Sequence, residues 1–138
     1  FFRTSDAFAI ERIILCGITV TPPSRDLHKT ALGAELSVKW EHYDSTLACV
    51  EQLHNEGYTA LAIEQVEGAT QLDALRIDNQ AKYALVFGNE VDGVDQQVVD
   101  QCDGAIEIPQ VGTKHSINVS VAGGVVLWNF FCLIRRKV

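Results

Sequence analysis

Two polar turns hold most of the side chains that could do chemistry. Gly88-Asn89-Glu90 places a carboxylate just after the compact apolar run at 83–87. Residues 110–118 then gather an amide, hydroxyls, an ammonium and an imidazole in Gln110, Thr113, Lys114, His115, Ser116 and Asn118. Such a set can bind a polar ligand at the end of a strand. An amide accepts from one neighbour and donates to another, and a lysine is a point charge for an anion. His115 is the one side chain of this region whose ordinary pKa lies near neutrality. Each group also has a plainer use: Ser116 or Asn118 as a helix N-cap, Glu90 as a solvated turn carboxylate, Lys29 and Lys114 as surface charge.

The elements that must position these turns follow from pattern. Residues 83–87 and 105–109 read as buried strands, the second closed by Pro109. Further strands are expected over 12–18, 36–40 and 59–63. A helix capped by Asp44 should carry Leu47, Val50 and Leu53 on one face and stop at Gly57. Residues 1–8 read as the end of a helix, 72–75 as a helical turn and 96–102 as a short helix. Ser24 or Asp26 would cap another short helix running through Leu32. Strands alternating with helices imply a parallel α/β sheet covered on both faces, whose polar turns gather at one edge, where ligands collect.

The last segment reads differently. From Ile117 to Ile134 apolar residues leave almost no polar face, and a helix apolar all round is buried all round. One side should pack on the sheet and the other on a second copy of the chain, with Gly123-Gly124 allowing close approach.

Composition bounds the rest. With 138 residues the chain is expected to form one domain, 1–138, and its opening on Phe1-Phe2-Arg3 suggests that residues are missing in front. No apolar run reaches spanning length, so no membrane partner is expected. The four cysteines are widely spaced and form no CxxC pair, which argues against a metal and for a reducing, cytoplasmic setting. A net charge of −7 excludes a broad basic coat for nucleic acid, leaving local cations such as Arg3, Lys29, Lys114 and the tail Arg135-Arg136-Lys137. GxGxxG and GxxxxGK[ST] loops are absent, so a cofactor would be held by backbone groups of short polar turns. The pattern alone also allows a flavodoxin-like nucleotide binder.

Four pieces of the sequence carry a resemblance, in order, over nearly the whole chain. They are Phe2-Arg3-Thr4-Ser5-Asp6-Ala7-Phe8; Lys29-Thr30-Ala31-Leu32-Gly33-Ala34; Phe87-Gly88-Asn89-Glu90 with Ile108-Pro109-Gln110; and His115 through Trp128, HSINVSVAGGVVLW. Together they resemble the SpoU/TrmH-type RNA ribose 2′-O-methyltransferases, a branch of the SPOUT superfamily.

The resemblance implies a single-domain α/β knot, in which a deep C-terminal trefoil holds S-adenosylmethionine. It implies methyl transfer to a ribose 2′-hydroxyl of tRNA or rRNA by a homodimer joined through the C-terminal helix. It assigns Arg3, Glu90, Ser116 and Asn118 to catalysis. Ile63, Glu64, Gly88, Ile108 and Ile117 would line the cofactor pocket, and Arg3, Lys29 and Lys114 would meet the substrate. The chain departs from the family pattern at Val91-Asp92-Gly93, where relatives carry Gly and often Arg, and at Gln110, where methionine is common. A dimeric RNA-binding module that keeps the knot and cofactor without chemistry is the alternative, consistent with the acidic balance and Asp92.

Overall fold

The structure is a computed structural model that describes residues 2–17, 36–89, 92–112 and 117–136. The chain divides into two compact units, Phe1–Cys49 and Val50–Val138.

In the first unit, helix α1 (Phe2–Ala7) precedes a two-stranded parallel sheet of β1 (Ile13–Cys16) and β2 (Trp40–Tyr43). α1 ends in a 6→1 bond from the Ile10 amide to the Ser5 carbonyl, 2.9 Å, and a bond from the Ala9 amide to the Asp6 carbonyl, 3.2 Å. This is the Schellman pattern, and Ala9 occupies its left-handed position at φ 52°. Leu15 and Val38 are buried together, flanked by Ile13 and Trp40.

The strand expected over 36–40 instead begins at Trp40 and runs into Glu41 and His42. Pairing with β1 supplies the reason, since both polar residues find partners there. Arg12 donates to Glu41 at 2.6 Å, and His42 Nε2 donates to the Gly17 carbonyl at 2.8 Å. The helix expected through Leu32 lies outside the described residues.

Helix α2 (Thr46–Asn55) is capped by Ser45, whose Oγ accepts from the Ala48 amide at 3.2 Å, rather than by Asp44. It stops where expected, with Gly57 at φ +88°. The second unit then builds a four-stranded parallel sheet in the order β4-β6-β3-β5. Its strands are β3 (Tyr58–Ile63), β4 (Thr70–Gln71), β5 (Lys82–Phe87) and β6 (Gly104–Glu107). A single 3-10 turn, Leu72–Ala74, follows β4. β4 was not anticipated, since two residues carry no periodicity. β6 ends two residues before Pro109.

Strand alternation separates the two faces. Leu61, Ile63, Tyr83, Leu85 and Phe87 join Ile106 and Leu72 under Val126 and Phe130 of the last helix, α4 (Val119–Arg135). On the other face, Ala60 and Val86 meet Val50 of α2 and Val98 of α3 (Gln96–Gln101). The small side chain of Ala60, fully buried, lets those helices sit close.

α4 packs one side on the sheet, as expected, and leaves its other side exposed within the chain rather than buried all round. Ala122, Gly123, Val126, Leu127 and Phe130 are buried, while Val121, Val125 and Trp128 are 57%, 40% and 52% exposed. A Cβ at Gly124 would meet nothing within 4 Å, so this glycine answers no close approach within the chain. Among the described residues no helix is long and apolar enough to cross a membrane.

Candidate active site at the carboxyl ends of three strands

The register of the central sheet brings three chain exits together. Ile63 at the end of β3 stands opposite Phe87 of β5 on one side and Ile106 of β6 on the other. Glu64, Gly88 and Ile108 therefore leave the sheet from one edge, and the Glu64 amide extends the ladder by donating to the Ile106 carbonyl at 3.1 Å. This is where a parallel sheet exposes strand-end backbone groups to a ligand.

The turn after β5 is tightly folded. Gly93 donates to the Asn89 carbonyl at 3.2 Å, and the Asp92 amide donates to Asn89 Oδ1 at 2.6 Å. A Cβ on Gly88 would fall 2.0 Å from the carbonyl carbon of Gly93, so only glycine fits at 88. Glu64 reaches across, its Oε2 accepting from the Val94 amide at 2.8 Å and its Oε1 from the Gln65 amide at 3.1 Å.

Beside the exits of β3, β4 and β6 lies an open cavity of about 290 Å³, lined by Gln65, Gln71, Glu107, Pro109, Gln110, Val111 and Gly112. The Gln71 amide donates to the Glu107 carboxylate along its wall. Amide and carboxylate groups over an apolar strand edge suit a polar ligand with a flat apolar part. Gln65, Gln71 and Glu107 escaped the sequence reading. Gln71 and Glu107 become neighbours only through the unforeseen β4–β6 pairing.

The structure thus brings Ile63, Glu64, Gly88 and Ile108 together. Ile63 and Ile108 also serve the apolar core under α4. Asn118 caps α4, its Oδ1 accepting from the Ser120 amide at 2.8 Å and the Val121 amide at 3.3 Å. Its amide nitrogen, a donor, is what remains for a ligand. Ile117 beside it is partly exposed. Arg3 is exposed on α1 in the first unit. Glu90, Ser116, Lys29 and Lys114 lie outside the described residues, as does His115.

The cysteines are all free thiols, and two of them interact. A hydrogen bond from Cys49 draws the Cys16 thiol down to about 7, helped by Thr46 and His42 against the opposing effect of burial. The same bond, with burial, drives the Cys49 thiol strongly upward. Cys16 is the more acidic of the pair, because its thiolate is the acceptor. Burial pushes Cys102 up to about 11, with the nearby Asp103 charge adding to it. Among the described residues no cluster of three or more His, Cys, Asp or Glu could hold a metal ion. At the end of α4, Arg135 lies over the Phe131 ring at 5.3 Å and shares a shallow hollow of about 230 Å³ with Arg136 and Cys132.

Known proteins with the same fold carry related names. A solved structure, the A. aeolicus TrmH/SpoU tRNA modifying enzyme, superposes with a TM-score of 0.85 at 25% identity, covering 99% of this chain and 68% of that one. The AdoMet-bound rRNA methyltransferase of Sinorhizobium meliloti matches with a TM-score of 0.85 at 24% identity, covering 99% of this chain and 50% of that one. A curated relative, the tRNA (guanosine(18)-2′-O)-methyltransferase of Borreliella burgdorferi, is 28% identical over 106 residues, 77% of this chain and 48% of its own length. The chain spans about half the length, or less, of the curated relatives it matches. Residues 1–128 match the SpoU rRNA Methylase family, and with the parallel α/β fold and its convergent strand ends this chain belongs to that family.

Proposed function

We propose that residues 1–138 work as one catalytic domain that transfers a methyl group from S-adenosylmethionine to a ribose 2′-hydroxyl of tRNA or rRNA. The observation that carries this reading is the meeting of Glu64, Gly88 and Ile108 at one sheet edge, in a chain of this family. The residues present fit the donor. Gly88 leaves no room for a side chain against Gly93, and the adjoining cavity offers amide and carboxylate partners. Ile63, Glu64, Gly88, Ile108 and Ile117 would hold it, largely through backbone, in a deep C-terminal trefoil knot. When bound, S-adenosylmethionine supplies an electrophilic methyl group on a sulfonium.

The chain's own residues do the remainder. The attacking hydroxyl must lose a proton, and a guanidinium with a pKa above ~12 is a poor base. Arg3 therefore acts electrostatically: it fixes the ribose phosphate and stabilises charge on the attacking oxygen. Asn118 uses its oxygen to cap α4, which fixes its amide, and offers its Nδ2 protons to the substrate. Glu90 and Ser116 orient these two groups, and Lys29 and Lys114 meet phosphate. Fixing the hydroxyl near the methyl would itself remove on the order of 7–11 kcal/mol of barrier.

The active form is a homodimer through α4, whose exposed stripe Val121, Val125 and Trp128 supports it. Sedimentation of a stable monomer at micromolar concentration would contradict this part of the account. The catalytic reading is tested by paired measurements on Arg3→Ala and Asn118→Ala. Arg3→Ala should bind S-adenosylhomocysteine normally while losing turnover by several orders of magnitude. Asn118→Ala should remain folded and inactive. Equal loss of binding and turnover in Arg3→Ala would make Arg3 structural. The acidic balance and Asp92 favour one rival, an RNA-binding module without chemistry, which would give no transfer in the wild type either.

A further inference from the structure

Glu64 is tied down at both ends. Its backbone continues β3, the amide donating to the Ile106 carbonyl at 3.1 Å. Its carboxylate spans thirty positions of sequence to accept from the Val94 amide at 2.8 Å, and turns back to the Gln65 amide at 3.1 Å. Two of its roughly four acceptor sites are thus occupied by main-chain donors.

What lies beneath that carboxylate is equally specific. A Cβ at Gly93 would fall 2.3 Å from Glu64 Oε2 and 3.3 Å from Cδ, and Gly93 has φ +67°. Glycine is required there on both counts. Gly93 in turn is the residue whose backbone fills the space over Gly88, where a Cβ would meet its carbonyl carbon at 2.0 Å. Glu64, Gly93 and Gly88 therefore form a stack, with the carboxylate on top and the start of the β5 turn below. The bonds between Asn89 and Asp92 or Gly93 close the turn on itself, while the Glu64–Val94 bond ties it to β3. Val94 anchors the same end in the apolar layer of Val50, Ala60 and Val98.

We propose that the Glu64 carboxylate is a positioning residue that clamps the turn after β5 against the end of β3, and does not itself bind the methyl donor. The pocket wall at Gly88 is then preorganised by a contact made in the free protein. This inference rests on the donor-binding reading given above.

The test compares Glu64→Ala with Glu64→Gln in the purified full chain. Three quantities are read: S-adenosylhomocysteine affinity by calorimetry, exchange of the Val94 amide in the ligand-free protein, and the melting temperature. Gln keeps an oxygen that can accept from Val94, whereas Ala removes it. A lost hydrogen bond to a charged acceptor implies, in Glu64→Ala, about tenfold weaker affinity and about tenfold faster Val94 exchange. The melting temperature should fall by only a few degrees. Glu64→Gln should stay within about threefold of wild type in both.

Loss of affinity in Glu64→Gln as large as in Glu64→Ala would overturn the proposal, because the ligand would then be using the carboxylate charge. Unchanged affinity in Glu64→Ala would overturn it as well. If the wild type failed to bind S-adenosylhomocysteine, the donor reading would fail by itself. Val94 exchange would still decide the clamp, since wild-type protection in Glu64→Ala would show that none exists.

Discussion

Asp103 and Ala60 exchange two hydrogen bonds across the centre of the sheet. The Asp103 amide donates to the Ala60 carbonyl at 2.8 Å, and the Ala60 amide donates to Asp103 Oδ2 at 2.8 Å. His54 Nε2 stands 2.8 Å from the same oxygen and, facing a carboxylate, must be the donor. One side chain thus locks the amino end of β6 to β3 and to the end of α2, at the opposite end of β6 from the strand exits that form the site.

The Ala60 amide, then His54, hold the Asp103 carboxyl below its ordinary 3.8. A carboxylate favoured in the folded state contributes stability that is complete above the ordinary value. That stability is lost as pH falls through the depressed one. Asp103→Ala should cost about 1–2 kcal/mol at neutral pH, a modest figure because the side chain is half exposed. It should also flatten the acid limb of the stability curve. Urea melts from pH 7 to pH 2 check both; an unchanged acid limb would remove Asp103 from this role.

Ala9 closes α1 at φ 52°, a conformation that costs an L-residue about 1–2 kcal/mol. Ala9→Gly should relieve that strain and stabilise the protein by about 0.5–1 kcal/mol, after the greater freedom of glycine in the unfolded chain is subtracted. Chemical denaturation of the two proteins provides the comparison. A destabilised Ala9→Gly variant would show that Ala9 stores no such strain at this cap.

Gly88→Ala places a Cβ against backbone, and no side-chain rotation can relieve a 2.0 Å approach to Gly93. The turn must shift. S-adenosylhomocysteine binding by Gly88→Ala should be undetectable at concentrations that saturate the wild type, with circular dichroism retained. Wild-type affinity would show that this turn is no part of the donor pocket.

Cys16 should react with iodoacetamide with a midpoint near pH 7, because the Cys49 thiol donates to its thiolate. Its contribution to stability is complete above the ordinary thiol value and fades as pH falls through about 7. Cys49→Ala removes the donor and should move the alkylation midpoint upward. A midpoint near 9 in the wild type would deny the bond.

Much of this architecture could be read in the residues. The runs around Leu61, Leu85 and Ile106 announced buried parallel strands, and the apolar run of α4 announced a helix packed on the sheet, although its side bearing Val121, Val125 and Trp128 is exposed. β2 slipped by four residues because Glu41 and His42 look exposed until Arg12 and Gly17 are known to face them. Only the family resemblance suggested that Glu64 belongs near the donor. Its use as a clamp on Val94 could not be seen, because that contact joins two strand ends far apart in the chain. Likewise, nothing in Gln71 or Glu107 taken singly marks a cavity wall; the β4–β6 pairing makes it one.

The central claim is transfer of a methyl group to a ribose hydroxyl. Its most direct test is nucleoside mass spectrometry of tRNA and rRNA transcripts incubated with the purified chain and S-adenosylmethionine. The account predicts a new 2′-O-methylated nucleoside with wild-type protein and none with Asn118→Ala. Methylation of a base instead of a ribose, or equal product from both proteins, would contradict it.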